Sequence, residues 1–246
     1  MIFIKKGKMP KVIETRVIEI KKSDEWKAAE NKEDALLRGF FDQLDKQQIR
    51  ENLVAEQHGL CAYCMKRIEP SEKMNIEHYI PIKGHKESVL DFNNMLGCCK
   101  GGSDVYESKH KVLCCDAAKK DQRITIDPRS AIMMSKIRYN KSGKIYVYPH
   151  DDVLQNDIDI ILGLNGELNK DGSIAKDTST GVVMGRREVY RSYELFIKKL
   201  YDKYKGNTSK ISLCIKKKIS EIEGSNQYPE FAGVLLYFLK RKLNVI

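Results

Sequence analysis

Apolar positions follow a helical period toward both ends of this chain and a strand-like alternation in its middle. Residues 1 to 22 read as an extended basic lead-in, in which the β-branched Val12, Val17, Ile18 and Ile20 favour short strands. Ser23-Asp24-Glu25 carries a helix-start signal. From Glu33 to Gln57 the chain is rich in Glu, Lys, Gln, Leu and Ala, and Ile49, Leu53, Val54 and Gln57 fall on one helical face. Gly59 then stands where a helix C-terminus expects glycine. A helical hairpin is predicted here, delivering the chain to Cys61. Asn75-Ile76-Glu77-His78-Tyr79-Ile80-Pro81 alternates as a strand does.

Further on, Arg138-Tyr139 and Ile145-Tyr146-Val147-Tyr148 flank Asn140-Lys141-Ser142-Gly143-Lys144, a β-hairpin signal. Asp151 to Leu164 reads as a helix with Val153, Leu154, Ile158, Ile161 and Leu162 on its apolar side, and His150 as its cap. Asn165 to Val182, rich in Gly, Asp, Ser, Thr and Asn, reads as an exposed loop. Arg186 to Tyr204, Ser209 to Glu223 and Tyr228 to Leu243 read as three helices. Tyr190, Tyr193, Leu195, Phe196, Leu200 and Tyr204 are expected in the core or an interface. The fold class is α+β, in three segments: 1–58, an extended lead-in and helical hairpin; 59–125, a motif-bearing core; and 126–246, a β-hairpin and helical region.

Composition narrows the class. Of 246 residues, 41% are hydrophobic and 32% charged, a balance that suits a globular domain rather than a disordered chain. No apolar run has the length of a membrane span, and the first residues lack the pattern of a signal peptide, so a cytoplasmic protein is expected. Lys and Arg number 44 against 34 Asp and Glu, a net charge of +10 that favours a polyanionic partner such as nucleic acid. Six of the seven cysteines lie between Cys61 and Cys115, which in a reducing compartment points to metal rather than disulfides. Cys214 lies on a helical pattern and is expected to be structural.

Two kinds of metal chemistry are concentrated in that stretch. Cys61-x-x-Cys64 is a chelating turn that supplies half of a tetrahedral zinc site. The other half comes from the doubled cysteines Cys98-Cys99 and Cys114-Cys115. A compact structural zinc site commonly closes with a second Cys-x-x-Cys pair. Here Cys99, five residues after Asn94, and Cys115, before Asp116-Ala117-Ala118-Lys119, fit its two halves, with the fifteen residues between them as an insertion. Cys61, Cys64, Cys99 and Cys115 are the preferred ligands, with Cys98 and Cys114 as the alternatives at the doubled positions. Beside the sulfur ligands stand Glu77, a hard carboxylate suited to Mg²⁺ or Mn²⁺, and His78, an imidazole able to take a proton from water near neutral pH. Neighbours on a strand point to opposite faces, so a bend is expected where these two act together. Asp116 is placed to give the cation a second carboxylate, and Asn94 to hold His78 through backbone hydrogen bonds. Lys119, Lys120, Arg123 and Lys83 are candidates for holding a nucleic-acid backbone. His58 is expected at a helix end, and His85 and His110 in loops where either contacts phosphate or substitutes as a ligand. No GxSxG-like nucleophile signature is present.

Gln57-His58-Gly59-Leu60-Cys61-Ala62-Tyr63-Cys64, Ile76-Glu77-His78-Tyr79-x-Pro81, Asn94-Met95-Leu96-x-x-Cys99 and Cys115-Asp116-x-x-Lys119 together resemble the HNH nuclease (PtuB-like) subunits of Septu anti-phage defence systems, which also accompany some retrons. The resemblance covers roughly residues 47 to 120. The chain departs from the family where a His commonly precedes the last cysteine and here Cys114 does; Glu before the histidine is usual in this family. The resemblance implies a ββα-metal nuclease core with a structural zinc knuckle, DNA cleavage in antiviral defence, and a hetero-oligomer with an ATPase subunit of the ABC/SMC-like kind (PtuA-like). The competing expectation is a zinc-stabilised nucleic-acid-binding or scaffold subunit without catalysis.

Overall fold

The computed structural model describes residues 1–105 and 110–244. Four helices open the chain: α1 (Lys11–Lys22), α2 (Asp24–Ala28), α3 (Asp34–Asp42) and α4 (Lys46–Glu56). The lead-in is thus extended only to Pro10, and the expected strand content of 11–22 is instead a helix. Ile13, Val17 and Ile20 form a buried stripe at helical spacing, and they pack with Trp26, Leu37, Phe40, Ile49 and Leu53. Burying that stripe outweighs the mild preference of β-branched residues for strands. Ser23 caps α2 through its hydroxyl, which accepts from the Trp26 amide, and Asp45 caps α4 in the same way through Gln48. The predicted hairpin over 33–57 corresponds to α3 and α4.

The middle of the chain forms β1 (Met74–His78), the single turn α5 (Lys86–Val89), β2 (Met95–Cys99) and the short helix α6 (Cys115–Lys119). β1 and β2 are antiparallel, with Glu77 opposite Leu96 and His78 opposite Met95. The ribbon lies between two buried clusters. It gives Ile76 and Met95 to the cluster of the N-terminal helices, and Met74, Leu96 and Cys98 to the cluster built on the cysteine turn and the C-terminal helices.

The remainder comprises α7 (Ala131–Met134), the hairpin β3 (Ile137–Tyr139) and β4 (Ile145–Val147), α8 (Asp152–Asn156) running into a π-helical turn, the hairpin β5 (Glu167–Leu168) and β6 (Ile174–Lys176), and the helices α9 (Val182–Tyr204), α10 (Thr208–Glu223) and α11 (Ala232–Lys242). The expected β3–β4 hairpin and the three long helices are present, although α9 starts earlier and α11 later than the periodicity indicates. Asp151, not His150, caps α8: its carboxylate accepts from the Leu154 amide, while His150 pairs with Asp152 in solvent. The stretch after Leu164 is less open than its composition implies. Asn165 is fully buried, accepting from the Ile145 amide and donating to the Ile145 carbonyl, so it pins the hairpin. Tyr190, Tyr193, Phe196, Leu200 and Tyr204 pack into the second cluster, but Leu195 is exposed. Cys214 is half-buried and meets the Tyr204 hydroxyl. Among the described residues no helix is long and apolar enough to cross a membrane.

Candidate metal centre and adjoining acidic cleft

The four cysteines preferred from spacing meet. The Sγ atoms of Cys61, Cys64, Cys99 and Cys115 all lie within 4.8 Å of one another. Cys61–Cys115 is 3.8 Å, Cys64–Cys99 3.6 Å and Cys99–Cys115 3.8 Å. Sulfurs at the corners of a tetrahedron with Zn–S of about 2.3 Å are about 3.8 Å apart, so the set fits a zinc ion. Cys64 also accepts from the Lys66 amide, as a thiolate in a chelating turn does. Burial pushes the Cys61 thiol up, but hydrogen bonds from Cys115 and the other cysteines outweigh it and hold the group well below the ordinary thiol range. Cys98 is buried in the core beside Cys61, and the Cys114 sulfur lies 3.7 Å from that of Cys115 and 3.6 Å from the Thr180 hydroxyl; neither belongs to the set of four mutually close sulfurs.

Local sequence explains the cage. α4 ends at Gln57, and Gly59 turns the chain at φ +77°, where an added Cβ would lie 2.4 Å from the Arg67 guanidinium. The turn closes with the Cys61 amide donating to the Lys66 carbonyl and Met65 to the Cys61 carbonyl. Gln57 is buried and ties this turn to β2: its amide group donates to the carbonyls of Leu60 and Gly97, and its oxygen accepts from the Gly97 amide. The insertion between Cys99 and Cys115 returns because the Cys114 amide donates to Gly101, where an added Cβ would lie 2.0 Å from the Cys114 carbonyl oxygen. Glycine is required at that contact. Part of the insertion, 106–109, lies outside the described residues. Arg186 is fully buried in the field of Cys64 and Cys114; burial lowers its pKa while Tyr139 and these thiols raise it.

The candidate acid and histidine residues flank a separate cleft of about 310 Å³, bordered by Arg38, Glu77, His78, Asp116, Lys120 and Asp121. The expected bend brings both neighbours to it: β1 ends at His78, and the next amide, Tyr79, donates to the Asn94 carbonyl. Asn94 is buried and binds the loop from both sides, accepting from the Ile80 amide and donating to the Ile80 and Ser88 carbonyls. His78 Nε2 lies 3.0 Å from the Val89 carbonyl oxygen. A carbonyl only accepts, so Nε2 carries the proton and Nδ1 keeps its lone pair. Burial pushes the His78 pKa down to about 4, so the ring is neutral at physiological pH.

Glu77 is buried and accepts from the Lys119 ammonium at 2.7 Å and from the Tyr63 hydroxyl at 3.2 Å. Burial first, then Asp116, pushes its carboxyl well above the usual range, against the pull of Lys119. Asp116 in turn accepts from the Asn75 amide at 2.7 Å, and Lys100 holds Asn75 from behind at 2.8 Å. Glu77 and Asp116 border the same cleft, and Mg²⁺ characteristically takes one or two carboxylates and keeps its waters. The donor set therefore fits such an ion.

The basic candidates separate. Lys119 is fully buried, paired with Glu77 and donating to the His78 carbonyl, so it braces the acid and is out of reach of a phosphate backbone. A buried ammonium without partners is too costly, and these two contacts consume it. Lys120 is exposed on the cleft rim, and Lys83 and Arg123 are exposed. His85 donates from Nδ1 to the carbonyls of Pro81 and Lys83, and Nε2 accepts from Arg123, so it anchors a cation rather than touching the metal cluster. His58 stacks on Tyr228 at the end of α4, as expected of a helix-end residue. Tyr63, Asn75 and Lys100 also support the acids, and nothing in their spacing announces it. Comparison with protein-family models and with curated proteins returned no match.

Proposed function

We propose that this protein is a metal-dependent endonuclease of the HNH type that hydrolyses phosphodiester bonds in DNA. The observation that carries the reading is the state of His78, a neutral ring whose Nε2–H is committed to Val89 and whose Nδ1 is free to accept a proton beside the Glu77–Asp116 pair. In this reading His78 takes a proton from the attacking water through Nδ1. Val89 and Asn94 hold the ring and its loop in place, and Lys119 sets the position of Glu77. A divalent cation held by Glu77 and Asp116 would neutralise the phosphate and stabilise the leaving oxygen. The cysteine cluster would hold the zinc that fixes β2, the chelating turn and α6 relative to one another, and Lys120 and Arg123 border the path of the backbone. Two antiparallel strands followed by a short helix, with Glu-His at the end of the first strand, support this reading, since a ββα-metal core would have that order. The Septu-like motifs extend the proposal to an antiviral effector that works with an ATPase subunit.

One observation favours a second reading. Lys119 already neutralises Glu77, as a cation would, which suits a zinc-stabilised nucleic-acid-binding module without catalysis. Plasmid nicking with added Mg²⁺ or Mn²⁺ separates the two. Wild type should nick, and His78→Ala should lose at least about a hundredfold in rate, the usual contribution of a general base. Equal rates in the two proteins would remove His78 from the chemistry.

A further inference from the structure

The β3–β4 ribbon buries one of its faces. Ile137, Tyr139, Ile145 and Val147 are all in the core. The other face carries Arg138 directly opposite Tyr146, with Tyr148 two residues further along the same side. α11 contributes Tyr237 and Arg241, one helical turn apart. These five side chains line a cleft of about 290 Å³, made of three tyrosines and two arginines with no acid. The Arg138 guanidinium lies 6.0 Å from the Tyr237 ring centroid, and Arg241 Nη1 3.5 Å from the Tyr237 hydroxyl. Tyr148 is 64% exposed, so its ring contributes little to packing. Two guanidinium groups brought together without a carboxylate gain nothing from each other. Their placement suits an anion that also presents flat faces to tyrosine.

We propose that this cleft binds single-stranded nucleic acid, an unpaired base stacking on Tyr148 or Tyr146 while Arg138 and Arg241 take the flanking phosphates. A duplex hides its base faces and would engage the arginines alone. The cleft is distinct from the one that holds Glu77, His78 and Asp116, and binding to it does not depend on cleavage.

The test is fluorescence anisotropy with the zinc-loaded full chain and no added divalent cation, so that binding is read without turnover. The probes are short single strands of DNA and of RNA with one sequence, the corresponding duplex, and an abasic strand of equal length. Wild type should bind both base-bearing strands more tightly than the abasic one, and any preference between them identifies the sugar. Tyr148→Ala should weaken the base-bearing strands about tenfold, within the range for loss of one stacked base, and leave the abasic strand within twofold. Tyr148→Phe, which keeps the ring, should bind as wild type. Arg138→Gln and Arg241→Gln should weaken every probe. The proposal is overturned if Tyr148→Ala binds like wild type, if the abasic strand loses as much as the others, or if no strand binds.

Discussion

Replacing Lys119 by Met tests the acid pair at the base of the cleft, because the new side chain fills similar space and deletes only the charge. The ammonium is fully buried and 2.7 Å from Glu77 Oε1. At that distance the attraction is about 6 kcal/mol for an effective dielectric of about 20. The loss of stability is smaller, since the stranded carboxylate escapes by taking a proton. Holding an ordinary glutamic acid protonated at pH 7 costs about 1.4 kcal/mol for each unit above a pKa of about 4.3, or about 4 kcal/mol, and the value matches the about 3–5 kcal/mol expected for breaking a buried pair. At pH 5 the same proton costs about 1 kcal/mol. The sign follows from linkage: a carboxyl whose folded pKa is raised contributes stability that is complete below its unfolded pKa and is lost as pH rises toward the folded one. Because burial and Asp116 already raise the wild-type carboxyl, these costs are upper bounds, and urea unfolding of zinc-saturated wild type and Lys119→Met should show a gap of up to about 4 kcal/mol at pH 7 that narrows to at most about 1 kcal/mol at pH 5. Adding Glu77→Gln to Lys119→Met should recover most of the loss at pH 7, because no buried charge is left. A gap independent of pH, or a double variant no more stable than the single one, would refute the reasoning.

The metal cage makes a prediction at the level of single residues. Cys99→Ser and Cys115→Ser should lose the bound zinc in elemental analysis and unfold at a markedly lower temperature, since ligation contributes directly to folding; Cys98→Ser and Cys114→Ser should keep one zinc per chain, and zinc loss in that second pair instead would reassign the ligands. His78 provides a pH test that needs no substrate. Its folded pKa of about 4 lies below the ordinary 6.5, so the unfolded chain binds the extra proton and stability falls as pH drops through that window. Between pH 6.5 and pH 4 wild type should lose about 3 kcal/mol more than His78→Gln does, and parallel curves would show that His78 is not held neutral by the fold.

The cysteine cage was largely legible in one dimension because it depends on residue type and short spacing. The Cys61–Cys64 turn, the position of Glu77-His78 at the end of an alternating segment and the Asn94 loop are each set by a few neighbouring residues, which a linear pattern displays. The helices of 33–57 and 182–242 were legible for a related reason, since each buries a stripe whose period can be counted. The lead-in was misread because β-branched residues at helical spacing satisfy both patterns, and only the partners of Ile13, Val17 and Ile20 decide between them.

The sequence by itself determined the donor types, the α+β class and a ligand choice left open by one residue at each doubled cysteine. Tertiary structure decided which of each doublet turns inward. On β2 and at the start of α6, adjacent residues point in different directions, and the register is set by contacts far along the chain, such as Gln57 on Gly97 and Leu162 on Cys115. Tertiary structure also decided the role of Lys119. Its spacing from Asp116 suits either a phosphate ligand or a brace, and the choice depends on burial, which removes the ammonium from water and leaves Glu77 as its compensating charge.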